Sequence, residues 1–135
     1  MDFFADERAN ELRNLFFESA QELLQTLNEE GLSLESDPAN TEVVRTIRRT
    51  MHTLKGDSAA CGYRELSDLA HALEDALTPE IAARAGSQLA DLVLNAADAF
   101  EGILTAYREE RQPPSGDALR AMITSVTDQI GRAHV

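Results

Sequence analysis

The sequence has no tryptophan, one cysteine, four prolines and seven glycines among its 135 residues. The lone Cys61 excludes an intramolecular disulfide and a cysteine-rich zinc site, and it suits a reducing compartment. No apolar run approaches the roughly 18 residues that a membrane span needs. The start, Met1-Asp2-Phe3-Phe4-Ala5-Asp6-Glu7, lacks the basic region of a signal peptide. These absences predict a cytoplasmic protein with no membrane insertion. Cations are scarce: 12 basic residues stand against 24 acidic ones, for a formal net charge of −12. That deficit argues against a nucleic-acid partner, which needs a basic footprint, and against adhesion to an anionic membrane surface. There is also no glycine-rich phosphate loop and no second acidic cluster to hold ATP–Mg²⁺. The chain is therefore not expected to use ATP by itself.

What is present is helical. Alanine, leucine and glutamate dominate, the length suits one domain, and it is long enough to bury a core without staples. A first helix is expected over about residues 7–30, with Leu12, Phe16, Ala20, Leu23 and Leu27 as its apolar stripe and Asp6 as its cap. Phe3, Phe4 and Phe17 fall before or off that stripe. Gly31 reads as an end or an interruption, and Asp37-Pro38-Ala39-Asn40 as a turn. A second helix follows, capped by Asn40 or Thr41 and stopped near Gly62. A third, over about 63–77, carries Leu66, Leu69, Ala70, Leu73 and Leu77. Thr78-Pro79 can open a short extra turn. Ser87 is placed to cap a long fourth helix with Leu89, Leu92, Val93, Ala96, Phe100, Ile103, Leu104 and Tyr107, stopped by Pro113-Pro114. Ser115 can cap a fifth to about Ile130, with Leu119, Met122, Ile123, Val126 and Ile130 facing inward. The expected fold is all-α: an antiparallel up-down four-helix bundle over about 7–111 with an additional C-terminal helix over about 115–130. Residues 1–131 then form one domain with a tail at 132–135, and the extra helix is expected to pack outside the bundle or to lead to a following domain.

The second helix holds the most informative stretch. Val43, Val44, Ile47, Met51 and Leu54 form one stripe, and His52 falls roughly 130° from its centre, on the wet side. Between Arg45 and Arg64 there are five cations and one acid, Asp57. The one basic island of an acidic protein thus surrounds this histidine. Gly56, one turn on, costs about 1 kcal/mol relative to alanine inside a helix, and room beside the ring would justify it. An exposed imidazole, nearby cations and a gap suit a histidine that carries or meets an anion such as a phosphoryl group.

A phosphate-accepting histidine needs one free nitrogen, a second nitrogen held by an acceptor, and positive charge near the phosphoryl oxygens. On the third helix, Ser67, His71 and Glu74 lie along one edge, roughly 100–160° from Leu73. If the second and third helices pack antiparallel, that edge flanks His52. Glu74 is then the candidate acceptor for Nδ1–H, leaving Nε2 as the nucleophile.

His52-Thr53-Leu54-Lys55-Gly56, with Gly62-Tyr63 and His71-Ala72-Leu73-Glu74, resembles the histidine phosphotransfer (HPt) family, in particular the amino-terminal domains of CheA-type chemotaxis histidine kinases. The close match runs from His52 to Glu74, and a weaker one from about Leu12 to Ile130. The resemblance implies that His52 is phosphorylated, that Glu74 orients it, and that Lys55 and His71 contribute to the site, Lys55 by neutralising phosphoryl oxygens. It further implies a histidine kinase ATP-binding domain as donor and an aspartate of a CheY-like response regulator as acceptor. ATP and Mg²⁺ belong to those partners, and no cofactor or metal to this domain. Gly56, Arg48, Arg49 and Phe17, with Phe16, are the candidate partner-binding residues.

Bland readings stand beside these. Lys55 can be a solvated lysine, His71 a hydrogen-bonded structural histidine, and Glu74 a surface acid or a salt-bridge partner of Lys55. The whole chain can be a passive helical interaction module. Asp68-Leu69-Ala70-His71 resembles half of a carboxylate-x-x-His metal site, but a di-iron bundle needs two such motifs. Cys61 falls near the core stripe, which makes it a small buried residue and a poor nucleophile.

Overall fold

The computed structural model describes residues 3–132, and side chains over 4–129. Its elements are α1 (Phe3–Ser36), α2 (Thr41–Ala60), α3 (Arg64–Ala76), α4 (Pro79–Ala85), α5 (Ser87–Arg108) and α6 (Asp117–Arg132). No strand occurs among the described residues. Helices α1, α2, α3 and α5 are the four expected long helices, α4 is the short extra turn, and α6 is the C-terminal addition.

The caps follow the local chemistry. The Asn40 side chain accepts from Glu42 N–H at 3.1 Å and Val43 N–H at 3.2 Å, satisfying two orphan donors at the start of α2. Thr78 does the same for Ile81 N–H at 3.2 Å, with Pro79 first in α4. Gly62 has φ +83°, the left-handed conformation that ends α2. Ser87 is not the cap of α5. Gly86 takes that position with φ +55° and no side-chain bond.

Helix α1 is longer than its sequence pattern predicts. It starts at Phe3, so Asp6 lies inside the first turn rather than capping it, and it continues six residues beyond Glu30 to Ser36. Gly31 does not break it. A Cβ there would stand 2.8 Å from Leu94 Cδ2 and 3.1 Å from Val93 Cγ1, so the bare glycine lets α5 approach. The buried stripe is Phe16, Phe17, Ala20, Leu24, Leu27 and Leu34, while Leu12 is 62 % exposed and Leu23 only partly buried. That seam repeats every three and four residues as a bundle interface requires. The expected stripe was out of phase by one position at Leu23 and began too early at Leu12.

Packing is antiparallel. Arg13 meets Tyr107, Gln21 meets Glu101 and Gly31 meets Val93, so α1 and α5 run opposite ways. Lys55 opposite Ser67 and His52 opposite Glu74 show the same for α2 and α3. The expected inner residues of α2, α3 and α5 are buried, with Val43 and Tyr107 half-buried. Helix α6 packs on α3, α4 and α5, bridging α3 and α5, and its buried apolar residues include Leu119, Ile123 and Val126. Arg120 holds Glu65 through two N–H···O bonds of 2.9 and 3.2 Å. Ser115 Oγ accepts from Asp117 N–H at 3.2 Å. Ile130 and His134 lie outside the residues whose side chains are described.

Candidate functional site

His52 sits mid-way along α2 with its side chain 67 % exposed, while Val44, Ile47, Met51 and Leu54 of the same helix are buried. The amphipathic pattern of α2 therefore decides that this ring faces water. Helix α3 places Glu74 beside it. Glu74 Oε1 lies 2.9 Å from His52 Nδ1, and Oε2 lies 2.9 Å from Lys55 Nζ. The carboxylate is 14 % exposed and the lysine 27 %, so the ion pair is partly sheltered from solvent.

Electrostatics fix the proton. Burial by itself pushes the Glu74 carboxyl up, but the hydrogen bonds and charges of Lys55 and His52 outweigh it and hold the carboxyl below the ordinary range. An ionised carboxylate only accepts hydrogen bonds, so Nδ1 carries the hydrogen that faces it. In the neutral ring, Nε2 then keeps its lone pair. Beside this pair, a Cβ added to Gly56 would meet nothing within 4 Å among the described residues. The space is open.

Other expected site residues are placed differently. His71 is 56 % exposed and pairs through Nε2 with Asp75 Oδ2 of its own helix at 3.4 Å. Its described partner is therefore Asp75, neither His52 nor Asp68. Arg48 lines a groove of about 240 Å³ with Val44, Leu77, Pro79 and Ala82. Arg49 is exposed, and Arg45 pairs with Glu42 at 2.7 Å. Phe17 is 7 % exposed, edge-on to Phe16 and flanked by the guanidinium groups of Arg13 and Arg108, and it lines a surface groove with Glu18 and Gln21. Cys61 is not the small buried residue its spacing predicts. It is exposed at the end of α2, and residual burial together with Asp57 raises its thiol pKa.

One contact escaped the sequence. Ser67 Oγ donates to the backbone carbonyl of Lys55 at 2.9 Å. Its place on the Glu74 edge of α3 was legible, but a bond to a neighbour's main chain leaves no residue pattern. Among the described residues, no three or more His, Cys, Asp or Glu side chains are grouped so as to hold a metal ion, and no helix is long and apolar enough to cross a membrane.

The Hpt domain family profile matches residues 11–129. The chain belongs to the Hpt domain family. The HPt domain is 40 % identical over 104 residues to the chemotaxis protein CheA of Borreliella burgdorferi, a match covering 73 % of this chain and 12 % of that protein. It is 50 % identical over 62 residues to the chemotaxis protein CheA of Halobacterium salinarum, covering 46 % and 9 %. The HPt domain thus spans about a tenth of the length of the curated relatives it matches. Its fold is that of the phosphorylated P1 domain of CheA3, solved in complex with CheY6 from R. sphaeroides. The TM-score is 0.73 at 22 % identity, over 90 % of this chain and 97 % of that one.

Proposed function

We propose that this HPt domain is a phosphoryl carrier of two-component signalling, within a CheA-like histidine kinase of the cytoplasm. One observation carries the reading: the His52 ring is held at Nδ1 by Glu74 at 2.9 Å while the ring itself stays 67 % exposed. That leaves Nε2 as an oriented nucleophile in reach of a large partner.

In loading, the Nε2 lone pair attacks the γ-phosphorus of ATP held by a kinase ATP-binding domain. The N–P bond forms as the bond to the ADP oxygen breaks. The proton on Nδ1 stays, and Glu74 balances the charge that the ring acquires. Lys55, already within the site, offers its ammonium to the phosphoryl oxygens. In unloading, a carboxylate oxygen of a CheY-like receiver attacks phosphorus, and the imidazole leaves with its Nε2 lone pair restored. The partners supply ATP and Mg²⁺. Gly56 keeps their approach open, and Arg48 and Arg49 supply the basic flank on which an acidic partner docks.

The test is incubation with a CheA-type kinase domain and γ-labelled ATP, followed by a CheY-type receiver. Acid-labile label is expected on His52 and then on the receiver, and none on a folded His52→Gln variant. Label on neither protein, or undiminished label on His52→Gln, rejects the reading.

A further inference from the structure

Ser67 joins the two site helices at one polar point. Its side chain is buried, and its hydroxyl reaches the Lys55 carbonyl at 2.9 Å. Lys55 is therefore held at both ends, its carbonyl by Ser67 and its ammonium by Glu74. The core of the same helix pair is apolar: Met51 and Leu54 on α2, and Leu66, Leu69, Ala70 and Leu73 on α3. Apolar burial is non-directional. Interdigitated apolar side chains hold α2 and α3 together and set a coarse register, which a directional bond refines. A hydrogen bond weakens steeply with distance and angle, so it resists sliding.

The geometry is sensitive to such a slide. Ser67 and Glu74 are seven residues apart on one edge of α3, two turns or about 10 Å along the axis. An axial shift of one residue's rise, about 1.5 Å, would stretch a 2.9 Å contact running across the seam to about 3.3 Å, which takes the His52–Glu74 bond past good hydrogen-bond distance and loosens the Lys55–Glu74 ion pair. We infer that Ser67 is a positioning residue. It sets the register of α3 on α2 and so the geometry with which Glu74 meets His52 and Lys55. The consequence for phosphotransfer rests on the function proposed above, but the consequence for the imidazole does not.

Two measurements on the full chain test this. The first is the ¹⁵N spectrum of the neutral His52 ring in wild type, Ser67→Ala, Ser67→Cys and Ser67→Thr. Wild type is expected to hold the proton on Nδ1. Alanine, which has no donor, and cysteine, a weak one of similar size, are expected to give a mixture with the Nε2–H form. Threonine is expected to restore the wild-type spectrum. The second is loading by a CheA-type kinase domain. Alanine and cysteine are expected to lower kcat about tenfold at unchanged KM, because misplacement slows the step without weakening docking. A purely structural role would lower Tm and move neither readout. Folded Ser67→Ala or Ser67→Cys protein with the wild-type tautomer and kcat overturns the inference. Absence of loading in wild type would reject the carrier function instead, and the spectra would still decide the role of Ser67.

Discussion

Glu74 Oε1 stands 2.9 Å from His52 Nδ1, across the seam between α3 and α2. The two are 22 positions apart in the chain, and the sharp turn at Gly62 brings them together. Removing the carboxylate frees the ring to rotate and to exchange tautomers. Glu74→Ala is therefore expected to slow loading of His52 about 10–100-fold, the effect typical of losing the partner that orients an imidazole. Loading kinetics with a CheA-type kinase domain measure it. A rate within twofold of wild type would reject the orienting role.

Acid should weaken the fold through two carboxylates. Bonds from Arg120 outweigh burial and lower the Glu65 pKa, and Lys55 and His52 lower that of Glu74, from an ordinary value of 4.5. A carboxyl whose pKa falls on folding adds stability above its unfolded value and loses that contribution as pH drops through the folded one. Stability should thus be level above about pH 5 and decline below about 4.5 as these carboxyls protonate. Glu65→Gln should flatten the decline. Its cost at pH 7 should be about 0.2–1 kcal/mol, because the pair with Arg120 is more than a third exposed. Denaturant titrations between pH 3 and 7 test both statements.

Alanine at two glycines should act in opposite directions. At Gly116 a Cβ would stand 2.7 Å from Leu69 Cδ1 and 2.8 Å from Glu65 Oε1, inside the contact of α6 with α3. Gly116→Ala should cost about 1–3 kcal/mol, the usual range for overpacking. At Gly56 nothing among the described residues lies within 4 Å. Gly56→Ala should gain up to about 1 kcal/mol from helix propensity, while slowing phosphotransfer by narrowing the approach to His52. Thermal unfolding and loading rates separate the two effects.

Ser58 is fully buried on α2, and its hydroxyl oxygen has no hydrogen-bond partner among the described residues. A buried polar group without a partner costs stability, whereas an apolar replacement of similar size does not. Ser58→Ala is expected to be neutral or stabilising by up to about 1 kcal/mol. A loss above that size would show that the hydroxyl is paired in solution.

The sequence made α2 and α3 legible because their apolar spacing, caps and turn glycine all agree. His52, Glu74 and Lys55 could be brought together by assuming an antiparallel pair, and α2 and α3 are antiparallel. α1 was harder. Leu12, Leu15 and Leu23 compete with Phe17 and Leu24 for the inner face, and only tertiary packing decides among them. Gly31 reads as punctuation, yet it is a contact with α5. The spacing of Cys61 suggested the core, but it lies where α2 ends and the stripe has no neighbour to face. The pairing of His71 with Asp75, rather than with the site, depends on side-chain direction at an exposed edge. Apolar periodicity carries no information about that direction.

The bridging position of α6 bears on how the domain can be shortened. Leu69 fills the space that a Cβ on Gly116 would occupy, and Leu119, Ile123 and Val126 are buried. A protein trimmed after Arg111 to the four long helices would leave an oily furrow open to water between α3 and α5. Such a fragment should be sticky and prone to self-association, and the helix that carries Glu74 would have lost its outer support.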